Sequence, residues 1–257
     1  MKTIAVLVFF ICGYISVISQ VENSDLYQKR YFNTSSDSLL FRFLKPETTD
    51  SFKKHPLVIF LHGAGERGND NEAQLFHGST LFTDKYNSKE YPCFVVFPQC
   101  PKYKRWVEVD WTADSHQMPI ESTDLLKSLM ELTEVLKKTY AIDSNRIYVM
   151  GLSMGGFGTW DLISRFPDKF AAAIPICGGG DENMAERLVD IPLWAFHGDR
   201  DRIVKTLRTR NMIEAINGLG GKAKYTEYTE TGHLCWSKAF VETELLDWLF
   251  SHSLKQR

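Results

Sequence analysis

Beyond residue 55, apolar runs of four to seven residues recur along the chain, with helix-patterned segments between them. The runs at 57–61, 94–97, 147–150, 171–177 and 193–196 are apolar at nearly every position. That pattern predicts strands buried on both faces of a parallel sheet. Residues 224–228 form a sixth candidate strand. Upstream, 28–32 and 38–44 alternate polar with apolar side chains and read as an antiparallel hairpin of edge strands. Ser122 or Thr123 can cap a helix in which Leu125, Leu126, Leu129, Leu132, Leu136 and Tyr140 fall on one face. Similar stripes over 206–216 and 238–249, and a helical segment over 156–166, supply further core-facing helices. Strands alternating with helices imply an α/β fold, a mostly parallel sheet wrapped by helices on both faces. No repeat, low-complexity tract or linker interrupts the pattern, so a single domain is expected over 20–257.

The first nineteen residues have a different character. Lys2 precedes an almost unbroken apolar run over 4–18, and the small or β-branched Val17 and Ser19 stand where a signal peptidase would cut before Gln20. This is the anatomy of a cleaved signal peptide over 1–19, which implies a secreted or periplasmic protein. The run is shorter than the roughly 20 residues of a spanning helix, and Ile11 before Cys12 argues against a lipoprotein anchor. The mature chain is therefore expected to be soluble, with no membrane partner. Over the whole 257-residue chain the 24% charged residues are mixed in sign and sum to −2, leaving no basic stripe for nucleic acid. A neutral or weakly charged substrate follows.

The chemistry begins at Gly151-Leu152-Ser153-Met154-Gly155, placed between the strand at 147–150 and a helix. A serine on such a strand-to-helix turn projects its hydroxyl above the sheet, and the flanking glycines admit neighbouring backbone. A serine hydroxyl needs a base held against it. Of the histidines after Ser153, His252 lies in the C-terminal tail, and His197 precedes Gly198, a position suited to shaping a turn. His233 sits in the loop before the last helix, the expected place for the base. The acid belongs in His197-Gly198-Asp199-Arg200-Asp201, where Asp201 is favoured and Asp199 is better placed to cap backbone N–H groups. Two backbone donors are expected for an oxyanion, Met154 after the nucleophile and Ala64 in the loop 62–68 after the first buried strand. Glu66 and Arg67 are expected to hold that loop through each other or through neighbouring loops.

These segments resemble the α/β-hydrolase superfamily, and within it the secreted dienelactone-hydrolase-like and feruloyl or acetylxylan esterase-like enzymes. The matching motifs are His62-Gly63-Ala64-Gly65-Glu66-Arg67-Gly68, Phe97-Pro98-Gln99-Cys100-Pro101, Gly151-Leu152-Ser153-Met154-Gly155-Gly156, the acid loop, and Gly232-His233 with Trp236. The resemblance implies the same three catalytic residues, Ser153, Asp201 and His233. It also implies hydrolysis of carboxylic esters, often acyl groups on plant polysaccharides. A peptidase or amidase, or a binding protein without activity, would share the scaffold. Peptidases of the prolyl-oligopeptidase kind, however, carry a propeller for which this chain has no length.

No long insertion provides a lid, so bulky esters should reach the site. Trp106, Trp111 and Tyr103 follow Pro101 near the sheet's C-terminal edge, where they can stack on a sugar or feruloyl ring or simply anchor a loop. The histidines lack ligand spacing, so neither metal nor cofactor is expected. Cys93 and Cys100 flank a strand whose roughly 23 Å span exceeds the ~7 Å limit for a disulfide. Cys177 and Cys235 remain open as a disulfide or as buried thiols.

Overall fold

A computed structural model describes residues 23–34, 38–47 and 53–256. The expected signal peptide lies outside them. Strands β1 (Gln28–Asn33), β2 (Ser38–Leu44), β3 (His55–Leu61), β4 (Phe94–Pro98), β5 (Ile142–Leu152), β6 (Ala172–Ile176), β7 (Trp194–Gly198) and β8 (Lys224–Tyr228) form one sheet. Their order is β1-β2-β4-β3-β5-β6-β7-β8. β2 runs antiparallel to both β1 and β4, and the pairs from β4 to β8 are parallel. This is the α/β architecture with an N-terminal antiparallel pair that the pattern predicts.

The apolar runs are continuous because the sheet is covered twice. Leu57, Ile59, Leu61, Val96 and Val149 face one apolar cluster, completed by Leu126, Leu129, Leu132 and Leu136 of α3 (Asp124–Thr139). Phe157 and Trp160 of α4 (Met154–Arg165) and Met212 and Ile216 of α5 (Leu207–Gly218) join it. The intervening Val58, Phe60, Val95, Tyr148 and Met150 face the other cluster. There they meet Leu81 and Phe82 of α1 (Thr80–Thr83), then α6 (Trp236–Ala239) and Leu245, Leu246 and Leu249 of α7 (Leu245–Phe250). A further short turn, α2 (Asn87–Glu90), precedes β4. Thr123, not Ser122, caps α3, its side chain accepting from the Leu126 N–H at 3.3 Å.

Three boundaries depart from the pattern. β5 begins at Ile142, five residues before its apolar run, across a register shift between His55 and Leu57. The polar 143–146 stretch hides this entry, with Asp143 accepting from Asn145 and Arg146. β7 continues through His197 and Gly198, which pair with Glu227 and Tyr228, so His197 is a strand residue and not a turn former. The expected helix over 238–249 is broken in two. Val241 and Glu242 make tight bonds to Lys238 and Ala239, three residues back, before α7 restarts at Leu245. Val241 faces solvent, so little apolar burial would reward a continuous helix there.

Candidate active site

Register pairs Leu61 with Gly151, Leu152 with Ile176, and Ile176 with Phe196, so several strands end level and their following loops converge. Ser153 is the first residue beyond β5, at φ 53° and ψ −116°. A side chain in this region is strained, and the surroundings hold it there: its N–H donates to Ile176 O at 2.9 Å and its carbonyl accepts from Phe157 at 3.1 Å. Gly155 explains part of the local sequence. A Cβ at that position would stand 1.9 Å from Leu61 O, so only glycine lets α4 approach β3 this closely.

Ser153 Oγ lies 2.8 Å from His233 Nε2, and His233 Nδ1 lies 2.6 Å from Asp201 Oδ2. The other Asp201 oxygen accepts from the N–H groups of Ile203 and Val204 at 2.8 and 3.0 Å. Burial by itself would raise the Asp201 carboxyl. The bonds from His197 and His233 and the His233 charge outweigh it and hold the group well below the usual carboxylate range. Asp199 instead accepts from the Thr231 N–H at 3.1 Å, fixing the loop that carries His233. The Trp236 ring meets the His233 ring edge to face at 5.5 Å. The structure thus brings Ser153, His233 and Asp201 into one chain of hydrogen bonds and leaves Asp199 out of it.

The loop after β3 adjoins this cluster, since a Cβ at Gly63 would stand 3.7 Å from Ser153 Cβ. Met154 opens α4, and its N–H belongs to the first turn, which has no acceptor within the helix. Ala64 begins a short 3-10 turn, Ala64–Glu66. Arg67 braces that turn by donating to Ala64 O at 2.8 Å, while Glu66 faces His77 at 3.8 Å, so the two hold the loop separately. Beneath the loop, His62 is fully buried. One ring nitrogen lies 2.6 Å from Gly63 O and the other accepts from the Cys100 N–H at 2.9 Å. Burial pushes this imidazole down to about 4.

Trp106 corrects an expectation. It has no exposed surface, and its indole N–H donates to His62 O at 3.0 Å, so it anchors the loop and cannot touch a substrate. Trp111 is half-buried, packed on the core with Arg105 over its ring at 4.4 Å. Tyr103 is almost wholly exposed. Between β6 and β7 the chain forms only a short 3-10 turn, Glu182–Leu188.

Cys177 and Cys235 are free, buried thiols here, and the Cys177 thiol is pushed well up, mainly by its burial and further by the neighbouring Cys235. Ligand atoms of Cys177, Asp201 and His233 lie within 4.8 Å of one another. Their sequence separations could not reveal this cluster, and its Asp201 and His233 atoms are already engaged with each other. Sequence reasoning also missed His197, whose Nε2 lies 3.1 Å from Asp201 Oδ2. Its only signal was a polar residue at the end of an apolar run.

The phospholipase/carboxylesterase family model matches residues 48–244. A solved structure described as a thermostable esterase superposes with a TM-score of 0.84 at 37% identity, over 90% of this chain and 64% of that one. Among curated proteins, a bifunctional acetylxylan esterase/xylanase of Neocallimastix patriciarum is 26% identical over 62% of this chain. A poly(3-hydroxyalkanoate) depolymerase C of Paucimonas lemoignei is 29% identical over 63%. The chain spans only 21% and 37% of those two proteins. The match bears out the resemblance to α/β-hydrolase esterases.

Proposed function

The chain belongs to the phospholipase/carboxylesterase family, and from that premise we propose that it is a serine carboxylesterase acting through an acyl-enzyme. The observation that carries this reading is the continuous relay from Ser153 Oγ through His233 to Asp201, at 2.8 and 2.6 Å, on a strained nucleophile turn. His233 Nε2 takes the Ser153 proton as Oγ attacks the ester carbonyl. Asp201 holds the imidazole in the tautomer with its hydrogen on Nδ1 and stabilises the charge that forms. The N–H groups of Met154 and Ala64 receive the oxyanion, with the N-terminus of α4 adding favourable potential. His233 then protonates the departing alcohol, and water repeats the sequence on the acyl-enzyme.

Acetyl or feruloyl groups on polysaccharides are the proposed substrates. The likeness to an acetylxylan esterase/xylanase and to a poly(3-hydroxyalkanoate) depolymerase supports polymer-borne esters. Trp111 and the exposed Tyr103 are the aromatic groups left to meet such a substrate. Export through the 1–19 leader fits a polymer that cannot enter a cell. Among the described residues no helix is long and apolar enough to cross a membrane.

The test is Ser153→Ala, assayed on acetyl, butyryl and feruloyl esters and on a matched amide. The folded variant should lose hydrolysis by roughly 10⁵–10⁶-fold and should no longer react with a fluorophosphonate. Hydrolysis surviving the substitution would sink the assignment, and preference for the amide would move the protein to another reaction class.

A further inference from the structure

Asp201 carries two imidazoles on a single oxygen. Oδ2 lies 2.6 Å from His233 Nδ1 and 3.1 Å from His197 Nε2, while Oδ1 takes the N–H groups of Ile203 and Val204. His197 has no exposed surface and is fixed in β7 by its register with Glu227. Its Nε2 faces only acceptors, Asp201 Oδ2 and Val204 O at 3.0 Å. A carbonyl cannot donate, and a carboxyl held this far below its usual range carries no proton to give. Nε2 must therefore bear the hydrogen.

The far side of the ring accommodates this hydrogen in either of two ways. Nδ1 lies 2.8 Å from Thr209 Oγ1, which itself lies 3.0 Å from Gly178 O. The threonine has one hydrogen for these two neighbours. If it goes to Nδ1, His197 is neutral; if it goes to Gly178 O, Nδ1 must donate and His197 is an imidazolium. In both states the Nε2–H is directed at Asp201 and Val204.

We propose that His197 is a positioning residue for the Ser153–His233–Asp201 relay, donating from Nε2 to the same Asp201 oxygen that holds His233. The proposal rests on the serine-esterase reading above. Two consequences follow. The carboxylate is bonded through both oxygens and cannot rotate away from His233. Its negative charge is shared between two imidazoles, so His197 sets how strongly Asp201 favours the protonated form of the base. The charged and titratable groups facing His197 are Asp201 from the acid loop and Glu227 from β8, and the Glu227 charge is engaged by Arg210 and Tyr225. Those facing His233 are Asp201, Ser153 and the Cys177 thiol, with His77 beyond the Trp236 ring.

Two uncharged replacements separate positioning from packing. Gln places an amide nitrogen near the position of Nε2, whereas Asn places one near Nδ1 and leaves Asp201 without this donor. His197→Asn should lower kcat roughly 10–100-fold, as loss of an orienting partner does, with KM little changed. Its acidic limb of kcat/KM should move to higher pH by about half a unit or more, because an unshared carboxylate better stabilises the protonated base. His197→Gln should keep the limb of the parent enzyme and recover most of kcat. Thermal unfolding of both variants corrects for any loss of folded protein. Limbs that stay in place in both variants, or that move equally in both, overturn the proposal. A parent enzyme that a fluorophosphonate does not label at Ser153 overturns the esterase reading instead, so the two failures are distinct.

Discussion

His62 has no contact with solvent, and both ring nitrogens are committed, one to Gly63 O and the other as acceptor for the Cys100 N–H. Protonation would turn that acceptor into a donor facing a donor, inside the loop beside Ser153. Burial accordingly lowers the imidazole from 6.5 to about 4. In the unfolded chain the ordinary value returns, so on acidification the unfolded state takes up the proton first. The stability contributed by a neutral His62 is present in full above about 6.5 and drains away as the pH falls towards 4. Between pH 7 and pH 5 the loss amounts to about 2 kcal/mol, roughly a 20-fold change in the ratio of folded to unfolded protein. His116, lowered to about 4, and His77, lowered to a smaller extent, act in the same direction through their own burial. The comparison therefore needs a variant that removes His62 alone. His62→Gln, which can still offer both a donor and an acceptor but cannot titrate, should lose about 2 kcal/mol less than the parent over this interval. Urea unfolding at the two pH values measures the difference directly from the midpoints and slopes. A variant whose stability falls in parallel with the parent would refute the assignment of this linkage to His62.

Three further substitutions test the site reading. Asp201→Asn should lower kcat by around 10⁴-fold by favouring the wrong imidazole tautomer, while Asp199→Asn, which touches only the Thr231 N–H, should cost far less. Steady-state kinetics that rank them the other way would make Asp199 the acid. Trp106→Ala should cost about 3–5 kcal/mol of stability, because the indole is wholly buried and bonded to His62 O. A change confined to KM, at unaltered unfolding temperature, would mean that Trp106 touches substrate after all.

The fold was legible where the sequence carries a period and obscure where polar residues continue an element. The runs at 57–61 and 94–97 could be read as fully buried strands because every residue faces one of two apolar clusters. The early part of β5 and the end of β7 could not, since Asp143, Arg146 and His197 break the apolar pattern without breaking the strand. The split between α6 and α7 was hidden for the opposite reason. Leu245, Leu246 and Leu249 keep a helical stripe alive across a turn that only the tertiary setting imposes.

Within the site, the residues that could be read were those whose backbone setting is itself encoded. The glycines around Ser153 answer to close packing, since a Cβ at Gly155 would stand 1.9 Å from Leu61 O, and a close approach leaves a mark in the sequence. The residues misread were those whose part is decided by what arrives from elsewhere in the chain. Trp106 was an aromatic on a loop until the His62 carbonyl claimed its N–H. His197 looked like a turn former because it follows an apolar run and precedes Gly198, yet its partners come from the acid loop at Asp201, α5 at Thr209 and, through Thr209, Gly178 after β6. A motif can carry the residue that does the chemistry, because the chemistry fixes its type. It carries the residue that orients that chemistry only weakly, because a donor to a buried carboxylate can be supplied from any neighbouring element. His197 and Asp201 fall in the same five-residue motif because β7 delivers the donor and the following turn returns the acid to it.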